Sequence, residues 1–217
     1  MKIILLICGP LYNECMPYIN EMIKNYQTII STWNTEDKEK IEMLKLKTVD
    51  IILNTIPEFS GFQNINCANT TICKGLNIAK EHGYEECFVM RTDNYINNIK
   101  KCIEIFQEKN TKKIVSIAWF NDKNHYYILD YMIYGKIENL IKYRSILQAQ
   151  DKQTCTEIFL QENYFKKSPV TFEDAFQDFS FCLDKLIENN IEIYFSHHHK
   201  EQGNIVNVYK NNGMFLV

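Results

Sequence analysis

Apolar positions fall along this chain in two rhythms. Near-continuous runs, "KIILLIC" (Lys2 to Cys8), "TIISTW" (Thr28 to Trp33), "VDIILN" (Val49 to Asn54) and "ECFVMRT" (Glu86 to Thr92), have the character of strands covered on both faces, as in a parallel sheet. Between them "NECMPYINEMIKNY", "TEDKEKIEMLKL" and "NTTICKGLNIAKEHG" repeat apolar residues at spacings of three and four, the period of a helix with one buried face. Thr35 is the expected N-cap of the second helix and Gly83 the expected stop of the third. The order βαβαβαβ predicts an α/β fold, a doubly wound, mostly parallel central sheet with helices on both faces.

Beyond Asn94 the pattern predicts a helix "NIKKCIEIFQEK", strands "KKIVSIAWF" and "YYILDYMIYG" and a helical start "KIENLIKY". Two further helices, "CTEIFLQENYFKK" and "EDAFQDFSFCLDKLIENN", and a strand "IEIYFSHHH" complete the reading. No Gly-, Pro- or Ser-rich linker, repeat or low-complexity tract interrupts the chain, so residues 1–217 are read as one domain. Residues 1–95 form its nucleotide-binding half and residues 96–217 its acceptor-side half.

In such a sheet, ligands bind at the carboxyl ends of the strands. Gly9 and Pro10 follow the first strand, Ser31, Thr32, Trp33 and Asn34 close the second, and Arg91, Thr92, Asp93 and Asn94 close the fourth. A run of four polar residues at the end of a buried strand is the strongest pointer to a site. Aromatic residues such as Trp119, Phe120, Tyr126 and Tyr127 are read as core, whereas Trp33 lies on the ligand edge and could stack on a base or sugar.

Composition narrows the partners. With 24 basic and 27 acidic residues, a net charge of -3 and no long charge block, the chain lacks the basic surface expected of a nucleic-acid binder. The apolar run at the N-terminus is at the lower limit for a secretion signal and is interrupted by Pro10, and nothing approaches the roughly 20 apolar residues of a membrane span. Eight cysteines without a Cys-x-x-Cys pair fit buried thiols in a reducing compartment, and a cytoplasmic location is expected. Richness in Asn, Ile and Lys suggests a bacterial or viral source, the latter placing the protein in an infected host's cytoplasm.

Four stretches in order, "ISTWNTED" (Ile30 to Asp37), "NINCANTTICKGLNIAKEHGYEECFVMRTDN" (Asn64 to Asn94), "DYMIYGKIENL" (Asp130 to Leu140) and "TEIFLQENYFKK" (Thr156 to Lys167), resemble the WavE-type lipopolysaccharide-synthesis glycosyltransferases. The resemblance covers about residues 1 to 170 and departs from the family at Cys67 and Ala68, where members commonly carry an Arg-Gln pair. It implies a GT-A fold, also found in glycosyltransferases of large DNA viruses, and a metal-assisted transfer of sugar from a nucleotide sugar, UDP-sugar favoured, to a glycan acceptor in polysaccharide biosynthesis. The chain would be a whole protein or one domain of a larger glycan-synthesis polypeptide.

Such transfer needs the leaving diphosphate to be neutralised. In GT-A enzymes Mn²⁺ or Mg²⁺ does so, held by an Asp-x-Asp motif at a strand end, and hard cations prefer such oxygen ligands. Arg91-Thr92-Asp93 takes that position, which makes Asp93 the expected metal ligand. Arg91 has two open roles: gripping phosphate, or pairing with Asp93 or Glu58. In "SHHHK" the three histidines alternate faces, so they cannot converge on one ion. They form an exposed loop, or one of them, His198, completes the metal shell. Glu157 is the candidate base, with Asp130 beside it as a catalytic candidate and Asp174 and Asp178 as alternatives. Gly9, Pro10, Ser31, Thr32, Trp33, Asn69, Arg91 and Thr92 are the expected substrate-binding residues.

Two other readings compete with glycosyl transfer. One is a sugar nucleotidyltransferase-like enzyme, against which stands the absence of a Gly-rich, Lys-containing loop after the first strand. The other is a catalytically silent module that only binds nucleotide sugar.

Overall fold

The computed structural model describes residues 2–110, 113–122, 125–129, 132–148 and 154–195. In chain order they form β1 (Ile3–Cys8), α1 (Met16–Met22), β2 (Thr28–Trp33), α2 (Lys38–Lys45), β3 (Asp50–Asn54), α3 (Ile65–Glu81), β4 (Glu86–Arg91), β5 (Asn94–Ile96) and α4 (Ile99–Lys109). There follow β6 (Ile114–Ser116), β7 (Ala118–Asp122), β8 (His125–Ile128), β9 (Met132–Lys136), α5 (Ile137–Arg144), α6 (Thr156–Phe165), α7 (Phe172–Asp178), β10 (Phe179–Phe181), α8 (Leu183–Glu188) and β11 (Ile193–Phe195).

Seven strands make one sheet in the order β10-β6-β9-β4-β1-β2-β3. All neighbours are parallel except β9, which runs antiparallel between β4 and β6. The fold is thus the expected α/β architecture, GT-A-like, with β1 at its centre. Successive side chains of a strand face opposite sides, and β1 divides accordingly. Leu5 and Ile7 join the cluster beneath α1, α2, α4 and α8, whereas Ile4, Leu6 and Cys8 join the cluster beneath α3, α5 and α6. Each such Leu or Ile, fully removed from water, stabilises by about 1.5–3 kcal/mol, which is why the apolar runs settled as central strands.

Several local expectations are corrected. Asp37, not Thr35, caps α2, because its carboxylate accepts the Glu39 amide. "KKIVSIAWF" and "YYILDYMIYG" are each split: β6 and β9 stay in the large sheet, while β7 and β8 pair with each other antiparallel, outside it. Ser116 sits at the divide, its hydroxyl donating to the Leu129 carbonyl. The long helix read over "EDAFQDFSFCLDKLIENN" is broken by β10, where Phe179 and Phe181 point inward at a period of two and pair with β6. Gly83 ends α3 as expected, with φ +76°. Among the described residues no helix is long and apolar enough to cross a membrane.

Candidate functional site

The register of the central strands brings three expected segments to one edge. Cys8 lies opposite both Ser31 of β2 and Arg91 of β4. Gly9 then leaves the sheet with φ +119°, where a side chain is strained, and a Cβ there would stand 3.0 Å from the Thr92 hydroxyl. The turn is fixed by Gly9 N–H donating to the Ser31 carbonyl at 3.0 Å and Thr92 N–H donating to the Cys8 carbonyl at 2.9 Å. Above it opens a cleft of about 240 Å³ whose lining includes Gly9, Pro10, Trp33, Arg91, Thr92 and Asp93. Trp33 is 7% exposed and joins Ile56, Ile65 and Ile72 in an apolar wall suited to a flat ring.

Of the two roles open to Arg91, the ion pair is formed, and its partner is Asp93 rather than Glu58. Nε donates to Asp93 Oδ1 at 2.9 Å and Nη2 to Oδ2 at 2.6 Å, a two-point fork. The Asp93 side chain is 3% exposed and that of Arg91 38%. The carboxylate is therefore inside and the guanidinium faces out.

The loop after Gly9 is tied to β2 and α2. Leu11 N–H donates to Glu36 Oε1 at 2.9 Å, Thr32 donates to the same oxygen at 3.1 Å, and Lys40 donates to the Leu11 carbonyl at 2.6 Å. Tyr12, which also lines the cleft, has its phenol pushed up by burial and by the Asp93 carboxylate, so it stays a neutral hydroxyl near neutral pH.

Three expected binding residues support the cleft without lining it. Ser31 accepts from the buried Asn54 amide at 2.9 Å, and Thr32 is held by Glu36. Asn69 donates to the Ile146 carbonyl at 2.7 Å and accepts from Arg144 at 3.4 Å. Glu157 lies in the first turn of α6 but does not line the cleft; its neighbour Thr156 does. Asp174 closes a capping box with Thr171, and Asp178 lies beside Tyr164, whose phenol is pushed up to about 12 by burial and that carboxylate. Asp130, His197, His198 and His199 lie outside the described residues, as do the side chains of Trp119, Phe120, Tyr126 and Tyr127.

Other lining residues had no signal in the sequence. Gln63 and Asn64 hold left-handed conformations, φ 54° and 62°, at the start of α3, and Gln63 accepts the Thr156 amide at 3.2 Å, joining the two walls. Two consecutive non-glycine residues in this region store strain, which tends to collect at binding sites. Arg144 is fully buried in the last turn of α5, where its spacing resembled an ordinary basic helix end. Its charge opposes the burial-driven rise of the Cys8 and Cys73 thiols.

Of the two expected ligands of Mn²⁺ or Mg²⁺, Asp93 lines the cleft and His198 lies outside the described residues. Among the described residues no group of three His, Cys, Asp or Glu side chains is placed to hold a metal ion. Both oxygens of Asp93 accept from Arg91, so a cation there would sit beside a guanidinium.

No protein-family model matches the chain, and no curated protein does. Among solved structures it is similar to a cytidylyltransferase from Leptospira borgpetersenii, with a TM-score of 0.50, 13% identity, and coverage of 83% of this chain and 75% of that one. It is also similar to 4-diphosphocytidyl-2C-methyl-D-erythritol synthase from Anaerococcus prevotii, with a TM-score of 0.51, 11% identity, and coverage of 83% and 89%. The expectation of glycosyl transfer to a glycan acceptor is corrected here. These two solved proteins are nucleotidyltransferases rather than glycosyltransferases, the class of the alternative reading, and at 11–13% identity the likeness is one of fold.

Proposed function

We propose that the chain is a transferase of the nucleotidyl type, which binds a nucleoside triphosphate in the cleft and passes its nucleotidyl group to a phosphorylated sugar or polyol. A phosphate oxygen of the acceptor attacks the α-phosphorus, the bond to the bridging oxygen breaks, and pyrophosphate leaves. The observation that carries the reading is the pairing of an apolar wall around Trp33 with the exposed face of Arg91 across one cleft at the strand ends. A base fits the first, and a phosphate chain the second. The likeness to nucleotidyltransferases of the same fold adds support.

The loop from Gly9 to Tyr12 contains no lysine. In this reading Arg91 supplies the positive charge that such a loop lacks, stabilising charge that builds on the phosphate oxygens in the transition state. Tyr12, its phenol kept neutral, lines the same cleft. Thr156 and Gln63, hydrogen-bonded to each other, line the same cleft, and in this reading the acceptor phosphate would approach past them.

Pyrophosphate release tests the proposal. The four common nucleoside triphosphates are each incubated with a panel of sugar 1-phosphates and polyol phosphates, and the reverse reaction is run with nucleotide sugars and pyrophosphate. Formation of a nucleotide sugar or nucleotide polyol with equimolar pyrophosphate is expected for at least one pair. Tight nucleotide binding without turnover on any pair would instead make the chain a silent binding module.

A further inference from the structure

We infer that Thr92 is a ligand-contacting residue whose hydroxyl donates to a phosphate oxygen in the cleft, and that Gly9 leaves that hydroxyl uncovered. This rests on the reading of the cleft as a nucleotide site and names the group that stands in for a phosphate-binding loop.

The first observation is what the turn after β1 lacks. Loops that cradle phosphates do so with main-chain amides pointing at the ligand. Here Gly9 N–H donates to the Ser31 carbonyl at 3.0 Å, Leu11 N–H to Glu36 Oε1 at 2.9 Å and Thr92 N–H to the Cys8 carbonyl at 2.9 Å, while Pro10 has no N–H. These amides hold the fold, so a donor to an anion at this edge has to come from a side chain.

The second is the state of the Thr92 hydroxyl. Thr92 lines the cleft and is 2% exposed. Other hydroxyls around the cleft are engaged within the protein: Thr32 donates to Glu36 at 3.1 Å, Thr71 to the Ala68 carbonyl at 3.0 Å, and Ser31 accepts from Asn54 at 2.9 Å. Among the described residues the Thr92 hydroxyl meets no such partner, yet its oxygen is not sealed from solvent. A nearly buried hydroxyl without a partner costs stability, and a ligand oxygen that accepts from it removes that cost.

The third is where the oxygen lies. A Cβ on Gly9 would stand 3.0 Å from Thr92 Oγ1 and 4.0 Å from its Cγ2, and, chain neighbours aside, no other described atom comes within 4 Å. Open space therefore borders Gly9 on that side, with the hydroxyl at its rim. A side chain at residue 9 would press on the oxygen and fill the space through which a ligand reaches it. Arg91, which carries the charge in the nucleotide reading, is the preceding residue and lines the same cleft, so a charged and a neutral donor stand together.

The experiment is calorimetric titration of the whole chain with inorganic pyrophosphate, CTP and cytidine in magnesium-containing buffer, with thermal melting of each variant. Thr92→Val nearly keeps the shape and removes the hydroxyl. It should weaken pyrophosphate and CTP by about 10- to 100-fold, the range for losing a hydrogen bond to a charged group, and leave cytidine unchanged. It should also melt at or above the wild-type temperature, because the unpartnered oxygen is gone. Thr92→Ser keeps the hydroxyl and should bind both phosphate ligands within about threefold of the wild type.

A Thr92→Val chain that melts well below the wild type, or does not fold, overturns the inference, because the hydroxyl then serves the protein. So does one that binds pyrophosphate as the wild type does, or one that loses cytidine along with CTP, which would put the hydroxyl on the nucleoside. A wild type that takes up neither phosphate ligand overturns it as well. Weakened pyrophosphate binding in Thr92→Val, with no pyrophosphate release by the wild type on any substrate pair, would sink the nucleotidyl reading and leave this inference standing. Turnover by Thr92→Val equal to that of the wild type at subsaturating nucleotide would do the reverse.

Discussion

At Gly75, in the middle of α3, the helix packs directly on Leu6 of the central strand. A Cβ built there would stand 2.4 Å from Leu6 Cδ1, 2.8 Å from Cδ2 and 3.2 Å from Cγ. Ordinary carbon contacts are about 3.5–4.0 Å, so Gly75→Ala forces Leu6 or the helix to move by about 1 Å. Leu6 is fully buried in β1, so any shift of its methyls displaces other core side chains. Alanine gains about 1 kcal/mol over glycine in a helix interior, whereas overpacking costs about 1–3 kcal/mol. The net expectation is a loss of up to about 2 kcal/mol, lowering the melting temperature of a chain this size by about 4–8 °C at most. Leu6→Ala alone should cost about 2–5 kcal/mol through its cavity. Combined, the two should be less damaging than their sum by on the order of 2 kcal/mol, because the new methyl occupies space the leucine vacated. Urea denaturation of the four proteins in this cycle gives the coupling directly. Because Ile65, Thr71 and Ile72 of the same helix line the cleft, Gly75→Ala should also weaken CTP binding. A Gly75→Ala chain stabilised by about 1 kcal/mol, with no coupling to Leu6, would refute this account of the helix and sheet contact.

Two other outcomes are expected. Lys167 and the Thr171 amide and hydroxyl hold the Asp174 carboxyl at about 2, below the usual carboxylate value. A depressed folded value means that its contribution is fully present above pH ~4 and is lost as pH falls toward about 2. Asp174→Asn should therefore flatten that part of the acid-unfolding profile, and an unchanged profile would remove Asp174 from the balance. Cys67 lines the cleft and is partly exposed, whereas Cys8, Cys15, Cys87, Cys102 and Cys182 are buried. Saturating CTP should slow labelling of Cys67 by a thiol reagent at mildly alkaline pH, while Cys155 labels at an unchanged rate. Equal rates with and without CTP would place the nucleotide elsewhere.

The central strands were legible because burial on both faces leaves a continuous apolar run, and β1, β2 and β4 follow that run almost residue for residue. The strand-end rule then located Gly9, Trp33, Arg91 and Asp93 before any coordinates. Failures began where an element depends on partners far along the chain. β10 is only three residues long, and it is a strand because β6 stands beside it. Ser31 and Thr32 at the strand edge and Asn69 in α3 have the right residue types, yet hydrogen bonds to Asn54, Glu36 and Ile146 consume part of their polar capacity. Spacing reports neither that consumption nor the left-handed turn at Gln63 and Asn64. The sequence also left Asp93 with two possible partners, because a carboxylate two residues from an arginine at a strand end can serve a cation or the arginine, and only side-chain direction separates them.

Directly after Asp93 the chain enters β5, which pairs not with the large sheet but with β11, Asn94 lying opposite Phe195. Ile96 and Ile193 both reach the main core, so this small ribbon clamps the exit of the cleft to its last described strand. In a chain made from its N-terminus, β1, β2 and β4 can pair early, but the backbone beside Asp93 gains its partner only once residues 193–195 have emerged. The sheet can thus exist before the cleft is finished. A ribosome-bound chain arrested before β11 should be folded at its centre and still unable to hold a phosphate, so that competence for ligand waits on the emergence of β11 rather than on acquisition of the sheet.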